Sequence, residues 1–368
     1  AGSTAPDAPQ PAAAPTGDLD ALAAAAGSRD VDTAVARLHD LEHRFHAMAR
    51  GRETGNKNNI GEELGKERDQ LVADIKSLRQ LVAGLSASGL GATQLEAIQA
   101  ALYRGINAVS PYYYQHNNVI YEYSKGRGEK NIYNTCNITS LSMCLEALGR
   151  TAADYPHPEL LKPVAEFFGH ELADKAGDVT SQDLTGYRLP EVVAMVATVH
   201  LLGNKLGTHD EIAAAAGRVM GKEAWLANIN HVAILAAYFG ASPTVGSIGF
   251  SEALNAYGKE HWKATDLGAE KRKQTGKGAA AGSLTTADIE EKIPAKAYKR
   301  AAMHALAPAL DGGKQVVVGQ FHHFVRLQSI DDQWVVKDDP GRWTGEDLKV
   351  TWEEARALGL FTNYCIVA

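Results

Sequence analysis

Three side chains in this sequence have the types and the surroundings that nucleophilic thiol chemistry requires. Cys136 begins an amphipathic helix that is predicted from the stretch NTCNITSLSMCLEALG, just after the capping types Asn134 and Thr135. The first turn of a helix favours a thiolate, because free backbone N–H groups and the positive end of the helix dipole lie there. A thiol nucleophile also needs a base and a third group that orients the base. His323 and Asp339 can supply them.

The predicted elements place this histidine and this aspartate side by side. His323 begins the β-rich run HFVRLQSI, and Asp339 ends QWVVKDD directly before Pro340. If the turn at residues 331–332 pairs the two strands antiparallel, the start of one strand and the end of the next come level. The helix that carries Cys136 would then approach from the other side of a cleft.

The two blocks that hold these residues resemble a known family. CNITSLSMCLEALG resembles the active-site helix of papain-like cysteine peptidases, in particular the branch related to bacteriocin-leader (double-glycine) peptidases. GKQVVVGQFHHFVRLQSIDDQWVVKDDPG resembles that branch's strand, His-aromatic-Val strand, turn, and strand ending in Asp-Pro. The resemblance implies a papain-like fold in which Cys136 is the nucleophile, His323 the general base and acid, and Asp339 the residue that orients His323.

The chain departs from the family pattern upstream of the cysteine. Many relatives carry a glutamine whose amide helps to form the oxyanion hole, and Lys130 occupies that position here. The backbone N–H of Cys136 supplies one donor, and Asn131 and Asn134 are the nearest side-chain amides for the second. The helix-rich insertion between the two blocks is also longer than in the smallest relatives.

Each candidate residue has an alternative interpretation. His322 adjoins His323 and Asp338 adjoins Asp339, and only one of each pair can face a cleft, because successive strand residues point to opposite faces. The His-Phe-Val and Asp-Pro patterns favour His323 and Asp339. Cys136 also fits a small buried hydrophobe, and an aspartate before Pro-Gly is common in turns without catalysis.

Composition narrows the class of protein. The chain has 368 residues, 45% of them hydrophobic, and a formal net charge of −7, which argues against nucleic acid or an anionic membrane as a partner. No apolar run is long enough to predict a membrane span. The three cysteines cannot form a disulfide framework, which favours a reducing compartment. HELAD matches only the first letters of HExxH, and GxGxxG and Walker motifs are absent, so we predict no metal and no cofactor.

The domain organisation is predicted from changes in composition and in hydrophobic periodicity along the chain. Residues 1–17 are rich in Ala and Pro and predict a flexible leader. Two apolar stripes at helical spacing predict a helical hairpin over 18–95. Helical patterns followed by short β-rich runs predict an α+β hydrolase domain over 96–368, with a mobile loop at 263–286.

The expected function is a cysteine hydrolase that cleaves a peptide or isopeptide bond in a protein, a peptide or peptidoglycan. The same triad also suits a glutamine deamidase or a transglutaminase-type acyl transferase. A papain-like binding module without activity is the non-enzymatic alternative. The N-terminal sequence lacks signal-peptide features, so we expect a cytoplasmic protein in the producing cell. By analogy, it suits a bacterial effector or toxin delivered without a signal peptide, with a secretion-apparatus or immunity-type partner.

Overall fold

The computed structural model describes residues 16–53, 65–86, 89–115, 135–169, 188–220, 228–264, 286–342 and 345–368. The predicted α+β class is confirmed: α-helices surround one six-stranded antiparallel sheet. The helices are α1 (Thr16–Ala26), α2 (Arg29–Glu53), α3 (Gly65–Ala83), α4 (Ala92–Ala108), α5 (Cys136–Ala147), α6 (Lys162–Gly169), α7 (Leu189–Leu201), α8 (His209–Met220), α9 (Ile229–Tyr238), α10 (Ser251–Ala264), α11 (Thr286–Lys292), α12 (Ala295–Asp311) and α13 (Trp352–Ala357). The strands are β1 (Pro243–Gly246), β2 (Gln315–Gln320), β3 (His323–Ile330), β4 (Trp334–Asp338), β5 (Leu348–Thr351) and β6 (Tyr364–Val367).

The N-terminal helices form a bundle with its own hydrophobic core. Helices α2 and α3 pack together, as the two apolar stripes predict, but α1 and α4 also join this core. The predicted boundary at residue 95 falls inside α4, which is a correction to the hairpin over 18–95. The cause is the apolar face of α4, where Ile98, Leu102 and Ile106 continue the same core to Val109.

Two predicted segments lie largely outside the described residues. Residues 1–15 of the leader and 265–285 of the mobile loop belong to this part of the chain. The remainder of each prediction is corrected, because residues 16–17 belong to α1, 263–264 end α10, and residue 286 begins α11.

The sheet has the strand order β1-β6-β2-β3-β4-β5. The β-rich runs KQVVVGQ, HFVRLQSI, QWVVKDD and NYCIVA, which the sequence predicts as strands, form β2, β3, β4 and β6. Strands β1 and β5 were not predicted. Strand β1 begins with a proline and ends with a glycine, and β5 includes a lysine, whereas the equally short β6 is a continuous apolar run. Strand β1 comes from the helical half of the chain and pairs with β6.

Helices cover both faces of the sheet. Val317 and Cys365 belong to the core that includes α5, α7 and α9. Val316 and Val318 belong to the core beneath α12 on the other face, as the alternation of strand side chains requires. The helix that begins at Cys136 therefore packs directly on β2 and β3. None of the described helices is both long enough and apolar enough to cross a membrane.

Candidate active site

Cys136 is the first residue of α5, where the sequence predicts it. Thr135 occupies the N-cap, but its side chain makes no capping hydrogen bond to the helix. The thiol is buried, with the residue 6% exposed. The other two cysteines, Cys144 and Cys365, are more deeply buried, and burial raises the pKa of each thiol to about 12. A raised pKa suppresses thiolate formation, so these two cysteines suit the core rather than chemistry.

His323 and Asp339 are brought together by the pairing of β3 with β4. Arg326 lies opposite Asp338 in this antiparallel pair, so the start of β3 and the residue after β4 reach the same edge. His323 Nε2 lies 2.6 Å from Asp339 Oδ1. The imidazole keeps 18% of its side-chain surface exposed, whereas the carboxylate is buried. The histidine can therefore meet a ligand while its acidic partner stays shielded.

The thiol of Cys136 lies near enough to the imidazole of His323 to affect its charge. Burial on its own would lower the pKa of His323, but the carboxylate of Asp339 and the nearby thiol of Cys136 raise this pKa to about 10. Because Nε2 is bonded to Asp339, Nδ1 is the ring nitrogen that remains to exchange a proton with a nucleophile. The imidazole of His323 thus bonds Asp339 and interacts electrostatically with Cys136, so the three residues lie together.

Asp339 is held as a permanent anion. Lys337 Nζ lies 3.3 Å from Oδ2, Arg342 Nε lies 3.7 Å from the same oxygen, and the backbone N–H of Gly341 donates to Oδ1 at 3.0 Å. Burial would raise the pKa of Asp339, but the charges of His323 and Lys337 outweigh it and hold the pKa far below its usual range. The carboxylate therefore stays charged at any pH at which the protein would work.

Tyr112 fixes the backbone that carries Asp339. Its hydroxyl donates to the carbonyl of Asp339 at 2.8 Å and also bonds the carbonyl of Arg342. The N–H of Gln115 donates to the carbonyl of Pro340 at 2.8 Å. The segment that follows α4 thus holds the turn after β4 in place.

The neighbouring Tyr113 contacts the cysteine helix instead. Its hydroxyl donates to Glu146 Oε1 at 2.7 Å, and Arg68 of α3 donates to the same hydroxyl at 2.8 Å. Glu146 lies on α5, so two adjacent tyrosines bind the two elements that carry Cys136 and Asp339. Arg68 extends this connection to the N-terminal bundle.

The alternative residues lie elsewhere. Asp338 pairs with Arg326, with Oδ2 at 2.8 Å from Nη1, and does not bond His323. His322 is exposed in the two-residue turn between β2 and β3, with φ of 54°, and its ring lies on Phe321 with centroids 4.0 Å apart. The left-handed backbone of His322 turns the chain so that the next residue, His323, faces Asp339.

The oxyanion-hole candidates Asn131 and Asn134 lie outside the described residues, as does Lys130, so these assignments stay predictions. Lys337, Tyr112 and Gly341 were not predicted from the sequence. Lys337 carries a recognisable signal, since it is a charged residue inside an apolar strand and lies two positions before Asp339, on the same face. For Tyr112, the only signal in the sequence is the tyrosine-rich composition of its segment.

Among the described residues, no group of three or more His, Cys, Asp or Glu side chains is arranged to hold a metal ion. Comparisons of the chain with protein-family models, with curated proteins and with solved structures gave no match. The functional argument therefore depends on the geometry described above.

Proposed function

We propose that this protein is a cysteine hydrolase of the papain-like type, and that it cleaves a peptide or isopeptide bond. The observation that carries the proposal is the hydrogen bond between His323 and the buried carboxylate of Asp339, with the Cys136 thiol near enough to the same imidazole to raise its pKa. The nucleophile begins a helix, and the base and its orienting acid lie on paired strands. This arrangement is the one that nucleophilic thiol catalysis needs.

The proposed reaction has two stages. His323 takes the thiol proton, and the sulfur of Cys136 forms a bond to the amide carbonyl carbon. The oxygen becomes an oxyanion at the start of α5, where the N–H of Cys136 can donate to it. The C–N bond then breaks as His323 gives the proton to the leaving amine, and a thioester remains on Cys136.

Water completes the cycle. His323, now neutral, takes a proton from water, and the resulting hydroxide attacks the thioester carbonyl carbon. The C–S bond breaks, the carboxylic acid leaves, and the proton held by His323 restores the starting state of the pair. Asp339 keeps the imidazole oriented throughout, and its own depressed pKa prevents it from taking the proton.

The fold supports the papain-like assignment without a detected relative. A cysteine-bearing helix packs on an antiparallel sheet, and the chain order is cysteine, histidine, aspartate. The bundle of α1–α4 lies before the cysteine helix and contacts it through Arg68, Tyr113 and Glu146. Its proposed role is to support that helix.

The first test is alkylation of the native protein by iodoacetamide at several pH values between about 4 and 9, with mass spectrometry to identify the labelled cysteine. We expect Cys136 to react at least about tenfold faster near pH 6 than the same thiol in unfolded protein, because the imidazolium stabilises its thiolate. His323→Ala should abolish this advantage, and the matched variant His322→Ala should retain it. Cys144 and Cys365 provide internal controls.

One outcome of this test would overturn the proposal. If native Cys136 reacts no faster than the unfolded thiol, the binding-module alternative takes its place. If Cys136 is reactive, incubation with peptides and with peptidoglycan fragments identifies the reaction. Hydrolysis adds water across the cleaved bond, deamidation replaces an amide nitrogen by oxygen, and acyl transfer joins the acyl group to an added amine, so product masses separate the three.

A further inference from the structure

Lys337 is a buried cation directly behind the proposed catalytic pair. The residue is 2% exposed and lies on β4, between β3 and the edge strand β5. Its ammonium contacts Asp339 Oδ2 at 3.3 Å and Gln320 Oε1 at 3.0 Å. Burying an ammonium group costs several kcal/mol before its contacts are counted. A neutral residue at this position would avoid the cost, so the charge calls for an explanation.

The two oxygens of Asp339 have separate partners. Oδ1 receives His323 and the N–H of Gly341, whereas Oδ2 receives the two cations Lys337 and Arg342. The remaining charged groups nearby are Cys136 on α5 and Asp338, which Arg326 neutralises on the other side of β4. The imidazolium of His323 therefore shares its counter-ion with Lys337.

We propose that Lys337 is a positioning residue that acts on His323 through Asp339. Its ammonium holds Oδ2 and offsets part of the carboxylate charge, so that His323 releases its proton more readily to the leaving amine. This inference depends on the hydrolase function proposed above. The physical reason is that a general acid works best when its pKa lies near the working pH, and a carboxylate with no other partner would bind the imidazolium too tightly.

The sign of the effect follows from the charges. Asp339 and Cys136 already raise the pKa of His323 to about 10 against the opposing effect of burial. Removing Lys337 leaves the carboxylate charge less compensated and also removes a cation near the imidazolium. Both changes favour the protonated ring, so the pKa of His323 rises further.

The experiment measures the pKa of His323 by NMR titration of its imidazole in the full chain. Lys337→Met should raise this pKa by about one unit. Lys337→Gln should do the same, because it keeps hydrogen-bonding atoms but no charge, and Lys337→Arg should stay near the wild-type value. Lys349→Met is the matched control, since Lys349 is an exposed lysine on the neighbouring strand whose ammonium lies over Trp334.

The proposal is overturned if Lys337→Gln leaves the pKa of His323 where Lys349→Met leaves it, or lowers it. Thermal unfolding shows which variants fold, and Lys337→Gln provides the answer if Lys337→Met does not. The titration requires no substrate. If Cys136 is unreactive but Lys337→Gln shifts the pKa of His323, the hydrolase proposal fails and the effect of Lys337 on His323 stands. If Cys136 is reactive but the pKa of His323 does not shift, the proposed role of Lys337 fails and the hydrolase proposal stands.

Discussion

Asp338 and Asp339 are adjacent and both buried, yet they belong to two different clusters. Asp338 accepts from Arg326 at 2.8 Å and from the N–H of Asp347 at 3.0 Å. Arg326 is fully buried and also donates to Gln315 and to the carbonyl of Asn107 on α4. We call this set of five residues the closed cluster.

The open cluster consists of Asp339, His323, Lys337 and Cys136. Its carboxylate is as well paired as that of Asp338, but its main partner is a histidine that keeps a solvent-facing edge. A guanidinium stays protonated in proteins, so the closed cluster can only hold elements together. An imidazole can give and take a proton, so the open cluster can perform chemistry. The two aspartates are alike in burial and in charge pairing. They differ in the side chain that each one binds and in whether solvent reaches that side chain, and this difference distinguishes a structural aspartate from one that can support catalysis.

The largest expected effect breaks the closed cluster. Arg326→Met leaves Asp338 buried without its cation and should lower the free energy of unfolding by about 3–5 kcal/mol, measured by urea denaturation. Alkylation of Cys136 in the protein that remains folded should stay close to the wild-type rate. The double variant Arg326→Met/Asp338→Leu should recover part of the loss, because no charge is then left unpaired. A single-variant loss below about 1 kcal/mol would contradict this account of the closed cluster.

The next effect belongs to the open cluster. Asp339→Asn removes the carboxylate that raises the pKa of His323, so this pKa falls and less of the ring is protonated. A thiolate on Cys136 then has less imidazolium to act as its counter-ion. We expect the alkylation rate of Cys136 near pH 6 to fall about tenfold to a hundredfold. Asp338→Asn is the matched neighbour and should leave the rate in the folded fraction unchanged. Equal losses in the two variants would erase the distinction between the clusters.

A third buried acid, Glu146, differs from both aspartates because its contribution to the free energy of unfolding depends on pH near neutrality. Glu146 is buried beside Arg68 and Tyr113, and burial raises its pKa to about 7 although both neighbours oppose the rise. The folded protein therefore binds this proton more tightly than the unfolded chain, so the stabilising contribution is complete below about pH 4.5 and is lost as the pH rises through about 7. Glu146→Gln should remove this loss.

The measurement for Glu146 is the free energy of unfolding at several pH values across that window. Relative to wild type, Glu146→Gln should gain on the order of 2 kcal/mol as the pH rises from about 4.5 to about 7. Glu96→Gln changes an exposed glutamate in the same way and should show no such gain. A flat difference curve for Glu146→Gln would mean that Arg68 keeps the carboxylate charged throughout.

Local sequence patterns were enough for the elements that carry the open cluster. The leucine spacing after Cys136 predicted α5, and the β-rich runs predicted β3 and β4 with the histidine and aspartate level. The choice within each doublet was also available from pattern, since His323 rather than His322 bonds Asp339. These features depend on contacts between residues close in sequence, where periodicity and turn residues are informative.

The contacts that support the cluster were not predictable in this way. Tyr112 and Asp339 lie 227 positions apart, and Asn107 and Gln328 lie 221 apart, so no local period links them. Strands β1 and β5 lack the continuous apolar run that made the equally short β6 recognisable. The boundary at residue 95 was placed too early because α4 packs on the bundle, which only its tertiary contacts reveal.

The position of β6 has a consequence for the timing of synthesis. This strand pairs with β1 on one side and with β2 on the other, and Pro243 meets Val367, 124 residues later (367 minus 243). On the ribosome, β1 therefore waits for a partner until β6 has emerged, and the sheet stays in two pieces until then. Pairing over such a separation is slow and leaves strand edges uncovered. The nascent chain should accordingly need protection by chaperones until β6 has emerged, although the residues of both aspartate clusters have been made before that point.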